Sequence, residues 1–194
     1  EDFLVFKADY DNDDSVLTFG IEKADTSVYN LFIARYNGEI QFDSIADFEA
    51  GTWSYLRFHT PIAGNDQVGT AAADFEIEKT TMYIQDKWYA NDDLTLVFGF
   101  RYDKVLTPSE PHLNPKFLER NGIGNNSAFD FDLIQPRFSW NYDATSLFGS
   151  RVVEATIRGG RGLFMGRIPR VWYGNAYSRS GGLTDYNRFR SYSS

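Results

Sequence analysis

The most constraining feature of the chain is a strict alternation of apolar and polar residues between Leu94 and Asp103. A β-strand directs successive side chains to opposite faces of a sheet, so this stretch predicts a strand with one wholly apolar face. The apolar positions are Leu94, Leu96, Phe98, Phe100 and Tyr102. The opposite positions are Thr95, Val97, Gly99, Arg101 and Asp103.

The same period of two recurs along the chain and predicts six strands. They lie at about 2–10, 16–24, 75–90, 94–103, 134–143 and 152–164. The phase slips near Lys79–Thr81, which indicates a β-bulge or a strand that leaves the apolar layer there. Short turns at 11–15, 91–93 and 144–151 join the strands into pairs, whereas the segments 24–74, 104–133 and 166–194 are long and loop-like, with a possible strand at 53–60.

Composition excludes several classes of protein. The 194 residues carry a net charge of -8, which argues against nucleic acid as a partner because phosphate binding requires a basic face. The absence of cysteine excludes a disulfide scaffold and thiolate metal sites. The sequence has no run of about 18 apolar residues, so no membrane-spanning helix is predicted. The 17 Phe, 12 Tyr, 4 Trp and 16 Gly are typical of β-rich folds with many turns.

Two all-β architectures fit this pattern. Short turns on one side and long connections on the other are typical of an outer-membrane β-barrel, with the long loops outside the cell. Tyr10, Trp88 and Tyr142 lie on the apolar phase just before the short turns, where an aromatic girdle of a barrel would lie. A soluble secreted β-sandwich, with one sheet face in its core and aromatic binding loops, explains the alternation equally well.

Five segments resemble strands of TonB-dependent outer-membrane receptors, and the Oar-like group most of all. They are LTFGIE (17–22), YIQDKW (83–88), LTLVFGFRYD (94–103), QPRFSWNYD (135–143) and TIRGGRGLFMGR (156–167). The resemblance implies that the whole chain, 1–194, is an internal piece of a barrel of about 22 antiparallel strands. The plug domain and TonB box of such a receptor are then expected outside this chain.

The resemblance also implies the function and the partners. It implies uptake of a ligand across the bacterial outer membrane, energised through TonB, or a structural role in a surface complex. The implied partners are outer-membrane lipid and lipopolysaccharide, the remaining strands and plug of the same receptor, TonB, and a surface lipoprotein. No nucleic acid is expected.

Charged residues on the polar phase are the candidates for lining the barrel lumen. They are Glu22, Arg101, Asp103, Arg137, Asp143, Glu154 and Arg158. Aromatic residues of the long segments are the candidates for ligand contact, because exposed loop aromatics often bind, although they also pack loops on themselves. They are Trp53, Tyr55, Trp172, Tyr173 and Tyr177.

Motifs for catalysis and metal binding are weak. Asp11, Asp13, Ser15 and Glu22 have the spacing of a calcium loop, but Val16 replaces its required glycine, which favours a solvated turn. The glycines at 159, 160 and 162 lack the spacing of a phosphate loop, so they indicate close approach of a neighbouring backbone or ring. His59 and His112 are far apart in the sequence, and no motif of a hydrolase or metalloprotease is present. The sequence therefore predicts no enzyme, no cofactor and no metal site.

Overall fold

The computed structural model of the protein describes residues 1–62, 68–127, 129–149, 153–167 and 169–190. The chain divides into two units. The first unit comprises Glu1–Thr26, Glu76–Pro108 and Phe129–Ile168. The second unit comprises Ser27–Phe75, Ser109–Ala128 and Pro169–Ser194.

Nine strands are found in the described ranges. In chain order they are β1 Asp2–Asn12, β2 Ser15–Asn30, β3 Glu39–Gln41, β4 Tyr55–Pro61, β5 Ala73–Asn91, β6 Leu94–Leu106, β7 Phe131–Asp143, β8 Thr156–Gly162 and β9 Thr184–Arg190. The helices are α1 Ile45–Ala50, α2 Pro115–Asn121, α3 Thr145–Phe148 and α4 Arg170–Ser178, with a 3-10 turn at Val68–Ala71. No helix in these ranges has both the length and the apolar character needed to cross a membrane.

Six strands form one sheet in the order β1-β2-β5-β6-β7-β8. The β1–β2, β5–β6, β6–β7 and β7–β8 ladders are antiparallel. Each of the six predicted strands coincides with a strand of this sheet, and most run longer than the alternation indicated. β8 is the exception, because its ladder begins only at Thr156.

Two of the hairpins close with the same device. Asn12 and Asn91 each begin an Asn-Asp-Asp turn. The Oδ1 atom of Asn12 accepts the backbone N–H groups two and three residues further on, at 2.9 and 2.8 Å. The Oδ1 atom of Asn91 does the same at 3.0 and 2.9 Å. A short amide side chain thus replaces a backbone turn, which explains why both strand pairs reverse within two residues.

The phase slip in β5 is not a bulge at Lys79–Thr81. The register between β5 and β6 runs without a break from Glu78 to Tyr89, and the irregularity lies between Tyr89 and Asn91. Phe75 explains the change of phase, because its ring is buried against Tyr173 and Tyr177, with centroids 6.0 and 4.5 Å away. Phe75, near the start of β5, therefore packs in the core of the second unit, whereas Ile84 and Trp88, further along the strand, are exposed.

The long segments are not the loops that the sequence predicted. β3, β4 and β9 form a second antiparallel sheet in the order β3-β4-β9. Its strands come from the segments 24–74 and 166–194, so the possible strand at 53–60 is present as β4. Ser44 caps α1 by accepting the N–H of Asp47 at 3.1 Å, and Asn114 caps α2 in the same way. The long segments thus contain regular structure of their own.

Candidate functional site

The polar face of the six-stranded sheet is organised around the carboxylate of Asp103, which is only 1 % exposed. Thr81 on β5 and Gln135 on β7 both donate side-chain hydrogen bonds to it and are equally buried. Arg101 Nε lies 3.1 and 3.2 Å from its two oxygens, and Lys79 Nζ lies 3.5 Å away. A buried carboxylate is costly unless it is paired and hydrogen-bonded, and this one is both.

The network extends across four strands of the sheet. Arg101 Nη2 reaches Glu22 on β2 at 3.4 Å, so the guanidinium joins two carboxylates. On the other side, the amide oxygen of Gln135 accepts the backbone N–H of Met165 at 2.8 Å and Arg137 Nη2 at 3.3 Å. Polar groups on β2, β5, β6 and β7 are therefore held together by their side chains as well as by the ladders.

The network brings together four of the seven predicted lumen residues, namely Glu22, Arg101, Asp103 and Arg137. Arg158 shares their face of the sheet, because its cross-strand partner is Asn141. Asp143 lies at the end of β7, where it accepts the N–H of Thr145 at 2.9 Å. Glu154 precedes β8 and lies in no strand, so its predicted place on the polar face of a strand is wrong.

Sequence reasoning missed Lys79, Thr81 and Gln135 as members of the site. Gln135 lies on the polar phase of its strand, and this phase is the only feature of the sequence that could have indicated its place in the network. Lys79 and Thr81 lie at the phase slip, where the alternation is hardest to interpret. Their role follows from the β5–β6 register, which sets Thr81 directly opposite Asp103.

Both carboxylates of this network are paired with cations, Asp103 with Arg101 and Lys79, and Glu22 with Arg101. Arg137 contacts the amide oxygen of Gln135 through Nη2, whereas its buried Nε has no hydrogen-bond partner among the described residues. Within the described ranges, no three His, Asp or Glu side chains converge as a metal site would require. The arrangement joins neighbouring strands through their side chains and gives the sheet a polar face.

The opposite face of the sheet has the reverse character. Phe100 is 60 % exposed, and large apolar side chains on neighbouring strands are exposed with it. They include Leu4, Phe6, Phe19, Ile21, Ile84, Trp88, Phe98, Ile134, Phe138 and Ile157. Phe98 and Phe138 are cross-strand partners whose rings stack at 5.9 Å. A protein in water buries its apolar residues, so a sheet with a buried polar face and an exposed apolar face is built for lipid.

A family model described as an outer membrane beta barrel domain matches residues 14–191. The chain belongs to this family. Searches of curated proteins and of solved structures returned no match.

Membership of the barrel domain family bears on the two faces. In an outer-membrane barrel the lipid-facing residues are apolar and the interior is polar, so we expect the Asp103 network to face the interior and the Phe98 face to meet the lipid. The domain is located in the bacterial outer membrane, as the sequence predicted. No ladder joins β1 to β8 in the described part of the domain, so the six-stranded sheet is open there.

Glycines let aromatic rings approach the backbone of the sheet closely in the barrel domain. A Cβ atom on Gly159 would lie 2.8 Å from Nε1 of its cross-strand partner Trp140. A Cβ atom on Gly20 would lie 2.2 Å from Cζ of Tyr83. The close approach that the glycines at 159–162 indicated is thus observed at Gly159, and it recurs at Gly20.

The five aromatic candidates for ligand contact divide into two groups. Tyr173 and Tyr177 are buried and stack on Phe75, so their ring faces are occupied within the second unit. Trp172 is 68 % exposed. Trp53 and Tyr55 line one cleft of about 520 Å³ in the second unit. The contact of Trp53, Tyr55 and Trp172 with a ligand stays a prediction.

Proposed function

We propose that this barrel domain is part of a TonB-dependent receptor that takes up a ligand across the outer membrane. The observation that carries the proposal is the polarity of the sheet: Asp103 and its polar partners are buried on one face, and Phe98 is exposed on the other. Such a wall separates lipid from a polar interior, which uptake requires. The resemblance of five segments to strands of Oar-like receptors supports TonB-energised transport, and a structural role in a surface complex is the alternative.

The polar network suits a barrel that encloses a plug. Arg101, Glu22 and Arg137 have charged groups on the interior face, where a plug domain of the same receptor would contact them through water and ion pairs. The remaining partners follow from the same proposal: lipid and lipopolysaccharide against the apolar face, TonB on the periplasmic side, and a surface lipoprotein outside. In this topology the turns at Asn12 and Asn91 are periplasmic.

The proposal is tested with the full-length receptor, purified from outer membranes in detergent. The purified periplasmic domain of TonB is the probe, and its binding to the immobilised receptor is measured. We expect saturable binding that is lost when the TonB-box segment of the receptor is deleted. A receptor that folds as a heat-modifiable barrel and does not bind TonB would support the structural role of an Oar-like surface barrel instead.

A further inference from the structure

The small sheet β3-β4-β9 carries a row of arginines on one face. Cross-strand pairing sets Arg57 opposite Arg188 and Tyr55 opposite Arg190. Like charges directly opposite each other destabilise a sheet unless an anion neutralises them. A bound anion would therefore be favoured on this face.

One carboxylate of the second unit neutralises Arg57 but not the other two arginines. Glu39 accepts hydrogen bonds from Arg57, and also from Arg35 at 2.6 Å, so its two oxygens are already in use. Among the described residues, neither Arg188 nor Arg190 has a carboxylate within ion-pair distance. Two exposed guanidinium groups at the same end of the sheet thus have no ion-pair partner in the described part of the chain.

Both arginines line the cleft of about 520 Å³ that contains Trp53 and Tyr55. This volume falls in the range of small-molecule sites. The guanidinium of Arg188 lies 4.5 Å from the centroid of the Tyr55 ring, and the Tyr55 hydroxyl donates to Gln41. Tyr55 is therefore a positioning residue: its ring is held by β3, and it supports Arg188 while the N–H edges of the guanidinium remain available for a planar anion.

The same cleft also contains hydrogen-bond acceptors and a free aromatic surface. Asp43 and Asp47 lie on its α1 side, and no ion pair joins them to the arginines in the described part of the chain. Carboxylates of this kind accept hydrogen bonds from hydroxyl groups and repel densely charged anions. Trp53 is half-buried in the wall and has its indole available for stacking.

We propose that this cleft binds an acidic sugar, with the sugar carboxylate on Arg188 and Arg190, the hydroxyl groups on Asp43 and Asp47, and a ring face on Trp53. Each part of the cleft selects against another ligand. Phosphate and sulfate would be repelled by the two aspartates that share the cleft, a neutral sugar would leave the arginines unpaired, and an acidic peptide offers few hydroxyl groups. This inference goes beyond the proposed function and does not depend on TonB, because it concerns equilibrium binding alone.

The test uses the full-length receptor in detergent and isothermal titration with a tetramer of galacturonic acid. We expect saturable binding that Arg188→Gln and Arg190→Gln each weaken at least tenfold, and that added salt also weakens. Trp53→Ala should weaken binding by a similar factor. Arg120→Gln is the matched control, because Arg120 is an exposed arginine in the last turn of α2 and does not line the cleft.

Competing ligands make the outcome decisive. Cellotetraose, a neutral tetramer, should bind much more weakly than the uronate, and inorganic phosphate should not displace the uronate. Heat-modifiability of every variant verifies that the barrel is folded. Equal binding of the neutral tetramer, unchanged binding by Arg188→Gln and Arg190→Gln, or no binding of the uronate to the wild-type receptor would each overturn the proposal. None of these outcomes bears on TonB binding.

Discussion

Arg101 and Asp103 face each other two residues apart on the same side of β6, with Arg101 Nε 3.1 Å from a carboxylate oxygen. Residues i and i+2 of a strand share a face, so the strand conformation of β6 alone brings the two side chains together. Its remaining partners come from neighbouring strands. Through these partners the pair links β2, β5, β6 and β7. We therefore expect single substitutions on the polar face of the sheet to lower its stability.

Asp103→Ala should lower the free energy of unfolding of the full-length receptor by about 3 kcal/mol, because Arg101 and Lys79 lose the carboxylate that compensates their burial. The measurement is denaturant unfolding in detergent, followed by loss of the heat-modifiable form. Asp92→Ala in the exposed turn is the control, and we expect a change within about 0.5 kcal/mol. Equal effects of the two substitutions would contradict the central role of Asp103.

Phe98→Arg should destabilise the barrel by about 2–4 kcal/mol if this residue lies near the middle of the membrane, since the guanidinium would face lipid. The change also removes the stack of Phe98 on Phe138. Thr95→Arg, on the polar face of the same strand, should cost much less. Unfolding in detergent compares the two variants, and similar losses would show that the faces have been assigned in the wrong sense.

Gly20→Ala should destabilise the sheet by about 1–3 kcal/mol, the usual cost of overpacking, because the new Cβ atom would meet the Tyr83 ring. Tyr83→Ala removes the ring, so Gly20→Ala should cost much less in that background. A double-mutant cycle on unfolding free energies measures this coupling. Gly166→Ala is the control, because a Cβ atom there has no atom within 4 Å. Additive effects at Gly20 and Tyr83 would rule out the predicted clash.

Strand positions and faces could be predicted where the alternation is local and complete. Leu94–Asp103 is the best case, because the polarity of each residue indicates which face of the sheet it occupies. The partners on that face could not be predicted. The contact of Asp103 with Gln135 depends on the register of β6 and β7, which are separated by a long segment, and polarity alone does not set that register.

The pairing of the second sheet could not be predicted for a related reason. β3 has only three residues, and β4 was indicated only as a possible strand at 53–60, with no signal for its partners. β4 pairs with β9, which lies more than a hundred residues further along the chain. The cleft at Trp53 arises only from this distant pairing, and hence the sequence indicated its aromatic residues but not Arg188 or Arg190.

The pH dependence of the small sheet should follow Glu39. Hydrogen bonds from Arg57, and then from Arg35, lower the pKa of Glu39 below its ordinary value of 4.5. A lowered folded-state pKa contributes stability that is fully present above the unfolded-state pKa and is lost as pH falls through the folded-state pKa. Near neutral pH, amide hydrogens of β3 and β4 should therefore exchange more slowly in the wild type than in Glu39→Gln.

The ratio of the wild-type and Glu39→Gln exchange rates removes the intrinsic pH dependence of exchange. This ratio should approach one as pH falls below the folded-state pKa of Glu39. Glu49→Gln is the matched control, because Glu49 is an exposed glutamate in α1 of the same unit. A ratio that stays constant from neutral to acid pH would show that the Arg57–Glu39–Arg35 cluster does not stabilise the sheet.

The chain 1–194 expressed alone should be insoluble in water and should disperse only in detergent. Every residue of β1 is exposed, and its outer edge presents unpaired backbone groups that invite aggregation. In lipid such an edge is not tolerated, because no water satisfies these groups. The apolar face around Phe98 adds a second surface without cover. Size-exclusion chromatography with and without detergent measures the outcome, and the same preparation refolded into micelles is its control. A monomeric product that is soluble without detergent and melts cooperatively would contradict the lipid-facing assignment of this surface.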